Sequence, residues 1–458
     1  MSRSPVLMVL ATLAATTALL VACDSPEAPA TPSVTATPTV EATTVVALPA
    51  TDTATPTSTS LPEADVHAHL PAENGVLSLD PVTGEVTEVW AGPELIWAPN
   101  VYAQMADRRD GVWLSWRSTD ESVRYDLDGN EVDRVPGWWP RESPNGEVVV
   151  YRQSDPARVV IRYADRSVDL GTNGCCYSPH DDGRVALLIP TGVRGENLSL
   201  SVYDPEADTT TTLVEHVGRP GKEGTIYPVW SPSGRFISDW SYSEIPTERG
   251  HAVLVDTLTG EATERSEWFT WVEGPQGEDW YASGDEGALI LIDAATGEEA
   301  LRITSDAGPL LASAEDLGGA FLARVGVRTG GSVTTTGAVV FDLTGNELGR
   351  WDGQFWHGAM TPAGAAAHFV DATSQSDCPS GRVEHPHFEG DLDCIGTEQA
   401  WSPDGRFLAM QAMLRTRSAL LVLDTQTGET LVVDVSRDFG FEWNADSTRI
   451  MLRIGGGM

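Results

Sequence analysis

The chain contains nine histidines, among them two His-x-His pairs, His67/His69 and His385/His387. Residues two apart on an extended strand lie on the same side, so both imidazoles of such a pair could reach one metal ion. After His385-Pro-His387 come Glu389, Asp391 and Asp393, which would add oxygen ligands; His385, His387 and Asp391 are the candidate metal set. The plainer reading is a polar surface insertion, with His67/His69 ending a linker, and no metal or other cofactor is expected. Asp126-Leu-Asp128-Gly-Asn130 begins like a calcium loop but lacks the downstream Glu of an EF-hand. There is no GxSxG elbow, HExxH, CxxC, P-loop or GxGxxG. No catalytic residue is assigned, and a non-enzyme is expected.

Five cysteines add further chemistry. Cys378 and Cys394 flank the His-rich insertion, and a disulfide between them would stabilise by about 3 kcal/mol on the loop-entropy model. Cys175 and Cys176 are adjacent, so a mutual bond would be strained, and they read as two small apolar residues in a buried strand. All 15 tryptophans lie at or after Trp90. Most read as core. Trp138-Trp139 and Trp356-His357 fit the core pattern less well, and aromatic faces of that kind also stack on sugar rings.

Residues 1–22 carry one positive charge, at Arg3, and then an uncharged apolar stretch too short for a comfortable membrane span. The stretch ends Leu20-Val21-Ala22-Cys23, which resembles a bacterial lipobox. That resemblance implies cleavage before Cys23 and acyl chains on its thiol and new α-amine, which would hold the protein to a membrane. From Asp24 to Asp65, 26 of 42 residues are Thr, Ala or Pro, with no aromatic. Such a segment builds no core, so 23–65 reads as the lipidated Cys followed by a disordered tether spanning roughly 35 Å.

From Val66 onward two elements alternate. In one, an aliphatic run ends in Asp and turns through Gly: Val76-Leu-Ser-Leu-Asp80-Pro-Val-Thr-Gly-Glu85, with further copies ending at Glu261, Glu298 and Glu429. Shorter turns follow Tyr125-Asp126 and Phe341-Asp342. In the other, Trp401-Ser-Pro-Asp-Gly405 precedes Arg-Phe-Leu-Ala-Met410, and Trp230-Ser-Pro-Ser-Gly234 precedes Arg-Phe-Ile-Ser238. Looser copies are Glu142-Ser-Pro-Asn-Gly146, Tyr177-Ser-Pro-His180 with Asp182-Gly183, and Trp443-Asn-Ala-Asp446. Each is a hairpin. Two hairpins make four strands in about 40–47 residues, the period of a propeller blade.

These residues resemble the TolB-type WD40-like repeat, over Val66 to the C-terminus. The expected fold is all-β: a β-propeller of four-stranded blades over 66–458, eight in number within a range of seven to nine. Complete units start near Leu95, Gly137, Cys175, Ile226, Phe269, Pro309 and Gln399, and Phe355–Val370 is either an extra hairpin or part of a further blade. The domain opens with only a second hairpin and closes with only a first, so pairing of its terminal strands would close the ring.

A net charge of −38 excludes a nucleic-acid partner, whose phosphates need a basic footprint. The functional expectation is a monomeric, lipid-anchored, extracytoplasmic binding or scaffold protein of the cell envelope, engaging a protein, peptide or glycan. The alternatives are a propeller enzyme acting on polysaccharide and a ligand-sensing ectodomain working through a transmembrane partner.

Overall fold

Strands such as Val185–Thr191, Ala288–Asp293 and Phe407–Leu414 open on unbroken apolar runs. A run of that kind is stable only where both faces of the sheet are covered. The computed structural model describes residues 67–455 except 69, 71–74, 93–100, 107, 117, 173, 192–196, 219–227, 242–250, 266–269, 286, 318, 330–331, 353–365, 372–379, 386–387, 393–394, 415–416 and 436–438. Every regular element among them is a β-strand.

The strands build an eight-bladed propeller of four-stranded antiparallel sheets. Numbered along the chain, blade 1 spans 101–135, blade 2 138–169, blade 3 175–218, blade 4 229–265, blade 5 271–303, blade 6 310–352 and blade 7 395–435. Blade 8 is shared between the two ends of the domain. Phe439–Trp443 and Ile450–Ile454 from the end pair with Gly75–Leu79 and Val86–Ala91 from the beginning, with Leu77 opposite Leu452. The expected ring closure is therefore present.

Two features go beyond the sequence reading. Ala366–Asp371, Ser380–His385 and Phe388–Leu392 form a separate three-stranded sheet in the stretch between blades 6 and 7. His67–Ala68 runs parallel to Thr430–Val435, adding a short fifth strand to the outer edge of blade 7. An outer edge is otherwise a template for unwanted pairing.

Within a blade the strands follow chain order, and the first strands of successive blades lie beside one another, as Trp138–Glu142 does with Cys175–Pro179. The first strands are thus innermost. Side-chain alternation then assigns each strand to two interfaces at once. In blade 3, Val185 and Leu187 pack with Val150, Val159 and Ile161 of blade 2, whereas Ala186 and Leu188 pack with Ile237, Val253 and Val255 of blade 4. Both sets are buried, which is why the sequence shows a run instead of an alternation.

The two repeated motifs are joined to each other. In blade 7 the Ser402 hydroxyl accepts the Phe407 N–H at 2.9 Å while Gly405, at φ 73°, turns the chain. Ser231 does the same for Phe236 and Asn444 for Arg449. The next residue, Arg406, reaches Asp424 of the other hairpin at 2.6 Å, and the Thr425 hydroxyl donates to the Arg406 carbonyl. Arg235, Asp256 and Thr257 repeat the arrangement. Neighbouring blades are linked at the same turns: Asn145 N–H donates to Asp181, Ser233 N–H to Asp279 and Asp404 N–H to Ser447.

One looser copy has a different register from that expected. In blade 3 the turn closes from His180 to Gly183, so His180 holds the place of Ser231 and Pro179 that of Trp230. Tyr177-Ser-Pro resembles the motif only in letters; the hydrogen bonds lie two residues later.

Candidate functional site

The propeller has two chemically different ends. At one lie the motif turns, whose polar groups are largely engaged by the turns themselves. The Asp126 carboxylate accepts the Asp128 and Asn130 N–H groups and the Asn130 amide. Asp342 does the same with Thr344 and Asn346. Burial pushes the Asp342 carboxyl up, but the Asn346 amide, the Thr344 hydroxyl and two backbone N–H groups outweigh it and bring it down to about 2. Asp80, Asp126, Asp256 and Asp424 are lowered in the same way, burial being opposed by hydrogen bonds from their own turns and, for the last two, from an arginine. These carboxylates are structural. The apparent calcium loop at Asp126 is one of these turns.

Arginine is spent similarly. On outer strands Glu131 pairs with Arg134, Glu299 with Arg302 and Glu347 with Arg350, each three residues apart. Internal pairing of the few basic side chains leaves an acidic surface.

The opposite end holds the connections between blades, such as Pro136-Gly137, and between second and third strands, such as Asp155-Pro156, and their sequences do not repeat. First strands begin here. Tyr102 lies at the start of Val101–Met105 in blade 1, and Trp138 and Trp139 open Trp138–Glu142 in blade 2. Their rings form a row. Tyr102 and Trp139 lie 6.2 Å apart by centroid and Trp139 and Trp138 5.6 Å, each pair within 20° of parallel. The Arg152 guanidinium sits over the Trp138 ring at 5.4 Å. Tyr102 is 43% exposed and Trp139 38%, whereas Trp113, Trp280, Trp351, Trp401 and Trp443 are buried. Core packing accounts for those five and not for Trp139.

Trp139 is held in place. Its φ of 60° is the left-handed region, which costs a bulky residue about 1–3 kcal/mol. Here the strand departs from regular pairing between Trp138 and Arg141. Both neighbours grip the residue: its N–H donates to Ser115 Oγ of blade 1 at 3.3 Å, and its carbonyl accepts the Tyr177 hydroxyl of blade 3. Ser122 Oγ lies 2.8 Å from Ser115 Oγ and 2.7 Å from the Gly137 carbonyl. A Cβ on Gly137 would stand 2.4 Å from the Tyr151 ring and 2.7 Å from the Arg152 carbonyl, so this close approach needs glycine.

Blades 1 and 2 form a fixed base for the row. Beside it, Ser154 donates to Asp120 from both its N–H and its hydroxyl. Further out, Arg162 pairs with Asp133. At the far end, buried Glu142 accepts the Trp113 indole N–H at 2.8 Å and pairs with Arg124 at 2.9 Å.

Of the residues drawn from the sequence, Trp138 and Trp139 form part of this row. Cys23, Cys378, His387 and Cys394 are outside the described residues, as are His69, Trp356 and His357. His385 ends Ser380–His385 opposite Phe388, and Asp391 stands opposite Arg382, three steps along the same ladder. Among the described residues no three His, Cys, Asp or Glu form a metal-sized group. Cys176 is half-buried at a bulge between Cys175 and Tyr177, against the apolar layer between blades 3 and 4. Tyr102 was not singled out from sequence; the available signal was an aromatic at the start of the first strand in two consecutive repeats.

No protein-family model matches the chain, and no curated protein matches it. Solved structures do. Dihydro-heme d1 dehydrogenase NirN is 12% identical, covering 88% of this chain and 78% of its own, with a TM-score of 0.39. A eukaryotic initiation factor is 11% identical over 78% of this chain and 95% of its own, at 0.46. A candidate TolB from Agrobacterium tumefaciens is 16% identical over 51% of this chain and 90% of its own, at 0.30.

Proposed function

We propose that this protein is a non-catalytic binding module, lipid-anchored through Cys23 outside the cytoplasmic membrane and carried on the tether 24–65. Its working surface is the loop end of the propeller, where it engages a component of the cell envelope. One observation carries this reading: Tyr102 and Trp139 are exposed aromatics on innermost strands of adjacent blades, and Trp139 is held there against its backbone preference by contacts from both sides. Strain retained at a surface position is characteristic of functional sites. Large exposed aromatics fixed on rigid elements are the residues that anchor binding energy. The motif end offers carboxylates already satisfied by their own turns, and its exposed apolar side chains, such as Leu258 at 74%, sit singly on turn tips.

Photocrosslinking in the native cells tests the assignment. A benzoylphenylalanine in place of Tyr102 is expected to capture a discrete partner, and one in place of Leu258 is not. Capture from Leu258 alone would place the working surface at the wrong end. Independently, Cys23→Ser is expected to release the protein from the membrane fraction; continued anchoring would overturn the lipoprotein assignment.

A further inference from the structure

We infer that the row Tyr102–Trp139–Trp138 is a binding shelf for the sugar rings of an uncharged glycan. This rests on the loop-end reading above and names its ligand.

The geometry is that of a terrace. Parallel rings in full overlap sit about 3.5–4 Å apart. Centroids 6.2 Å and 5.6 Å apart, with planes 20° from parallel, exceed that spacing, so the rings do not fully overlap; rings kept in face contact at these centroid distances are displaced sideways by roughly 4–5 Å. Part of each outer face stays uncovered, in keeping with the exposure of Tyr102 and Trp139. A pyranose is itself a flat ring whose C–H faces carry slight positive charge. Such a face fits the negative face of an aromatic ring. Adjacent steps of the terrace give successive sugars of an oligomer separate platforms.

Other ligand chemistries fit less well. A polyproline segment is gripped between aromatic walls of a groove, and rings whose centroids lie only 6.2 Å and 5.6 Å apart leave no room for a pyrrolidine ring between them. A cationic group seeks an aromatic face, but Arg152 already occupies the Trp138 end of the row and would repel a second cation. A polyanion meets a chain of net charge −38. The shelf is also built before any ligand arrives. The Ser115 and Tyr177 contacts fix the Trp139 backbone, so little ordering is lost on binding.

The test uses the full chain and defined probes: chitotetraose, cellotetraose and maltotetraose, read by tryptophan fluorescence and calorimetry, with decaproline as the peptide probe. Saturable binding of at least one tetrasaccharide is expected, nearly unchanged between about 50 and 500 mM NaCl because the ligand is uncharged. Tyr102→Ala and Trp139→Gly are each expected to weaken it about tenfold or more, the size of one lost aromatic stack, while Tyr102→Phe retains it. The glycine removes the ring while easing the backbone, and Tyr102 lies on a regular strand, so unchanged melting curves will separate lost binding from lost folding. Three results would overturn the inference: no binding of any tetrasaccharide by the folded protein, binding indifferent to both variants, or binding of decaproline in their place. If the Tyr102 crosslinker still captures a partner in any of these cases, the loop-end reading stands and only the ligand class is wrong.

Discussion

Leu452→Ala probes the closure of the ring. Leu452 is completely buried on Ile450–Ile454, opposite Leu77 from the start of the domain and Phe441 from its end. It packs in the layer shared by blades 7 and 8. The substitution removes three carbons at about 0.8 kcal/mol each and leaves a cavity, a total of about 3–4 kcal/mol. With an m value of about 3 kcal/mol/M, the urea midpoint falls by about 1 M. Leu291→Ala is the control: it is equally buried, but in blade 5, whose four strands are continuous in the chain. Both variants are expected to lose comparable stability in urea titrations followed by tryptophan fluorescence. They differ in hydrogen exchange. Only Leu452→Ala should open the amides of 75–91 and 439–454 ahead of the other blades, because only there is a blade held together without covalent continuity. A loss below about 1 kcal/mol, or faster exchange spread evenly round the ring, would refute the reasoning.

Acid should weaken the domain through its turn carboxylates. Asp342 is brought down to about 2 from 3.8 in the folded protein, so the unfolded chain binds its proton first; the stability it contributes is present above pH 4 and is lost as pH falls toward 2. Asp342→Ala is expected to flatten that part of the stability profile, and an unchanged profile would contradict the assignment. A double-mutant cycle on Arg406 and Asp424, a part-exposed pair joining the two repeat motifs, is expected to give a coupling of about 1 kcal/mol in urea titrations; zero coupling would make their pairing incidental.

Much of the fold was legible because its repeats spell out hydrogen bonds. Ser402 caps the N–H of Phe407, and Arg406 finds Asp424, so the letters Ser-Pro-x-Gly-Arg and Asp-x-x-Thr-Gly record contacts as well as turns. Blade starts expected near Gly137, Cys175, Phe269 and Pro309 fall within two residues of the observed strands at Trp138, Cys175, Trp271 and Leu310. Register failed at Tyr177, where a proline in the right company stands in a strand instead of the turn. The three-stranded sheet was read only as an extra hairpin or part of a further blade over Phe355–Val370, because 366–392 contains neither motif. The aromatic row was half legible. Trp138-Trp139 departs from the repeat, but its exposure and the alliance of Trp139 with Tyr102 depend on a partner 37 residues earlier in another blade. Nothing local in the sequence signals the left-handed backbone at Trp139; it arises where regular pairing with the neighbouring strand is interrupted.

The central claim is that the loop end binds, through its exposed rings. Its most direct test is to recover the intact protein from its own cells as wild type and as the Tyr102→Ala/Trp139→Gly double variant, and to compare by mass spectrometry the proteins and glycans that accompany each. A companion reproducibly present with the wild type and depleted about tenfold or more with the folded variant is the expected result. The same companions at the same yield with both would contradict it.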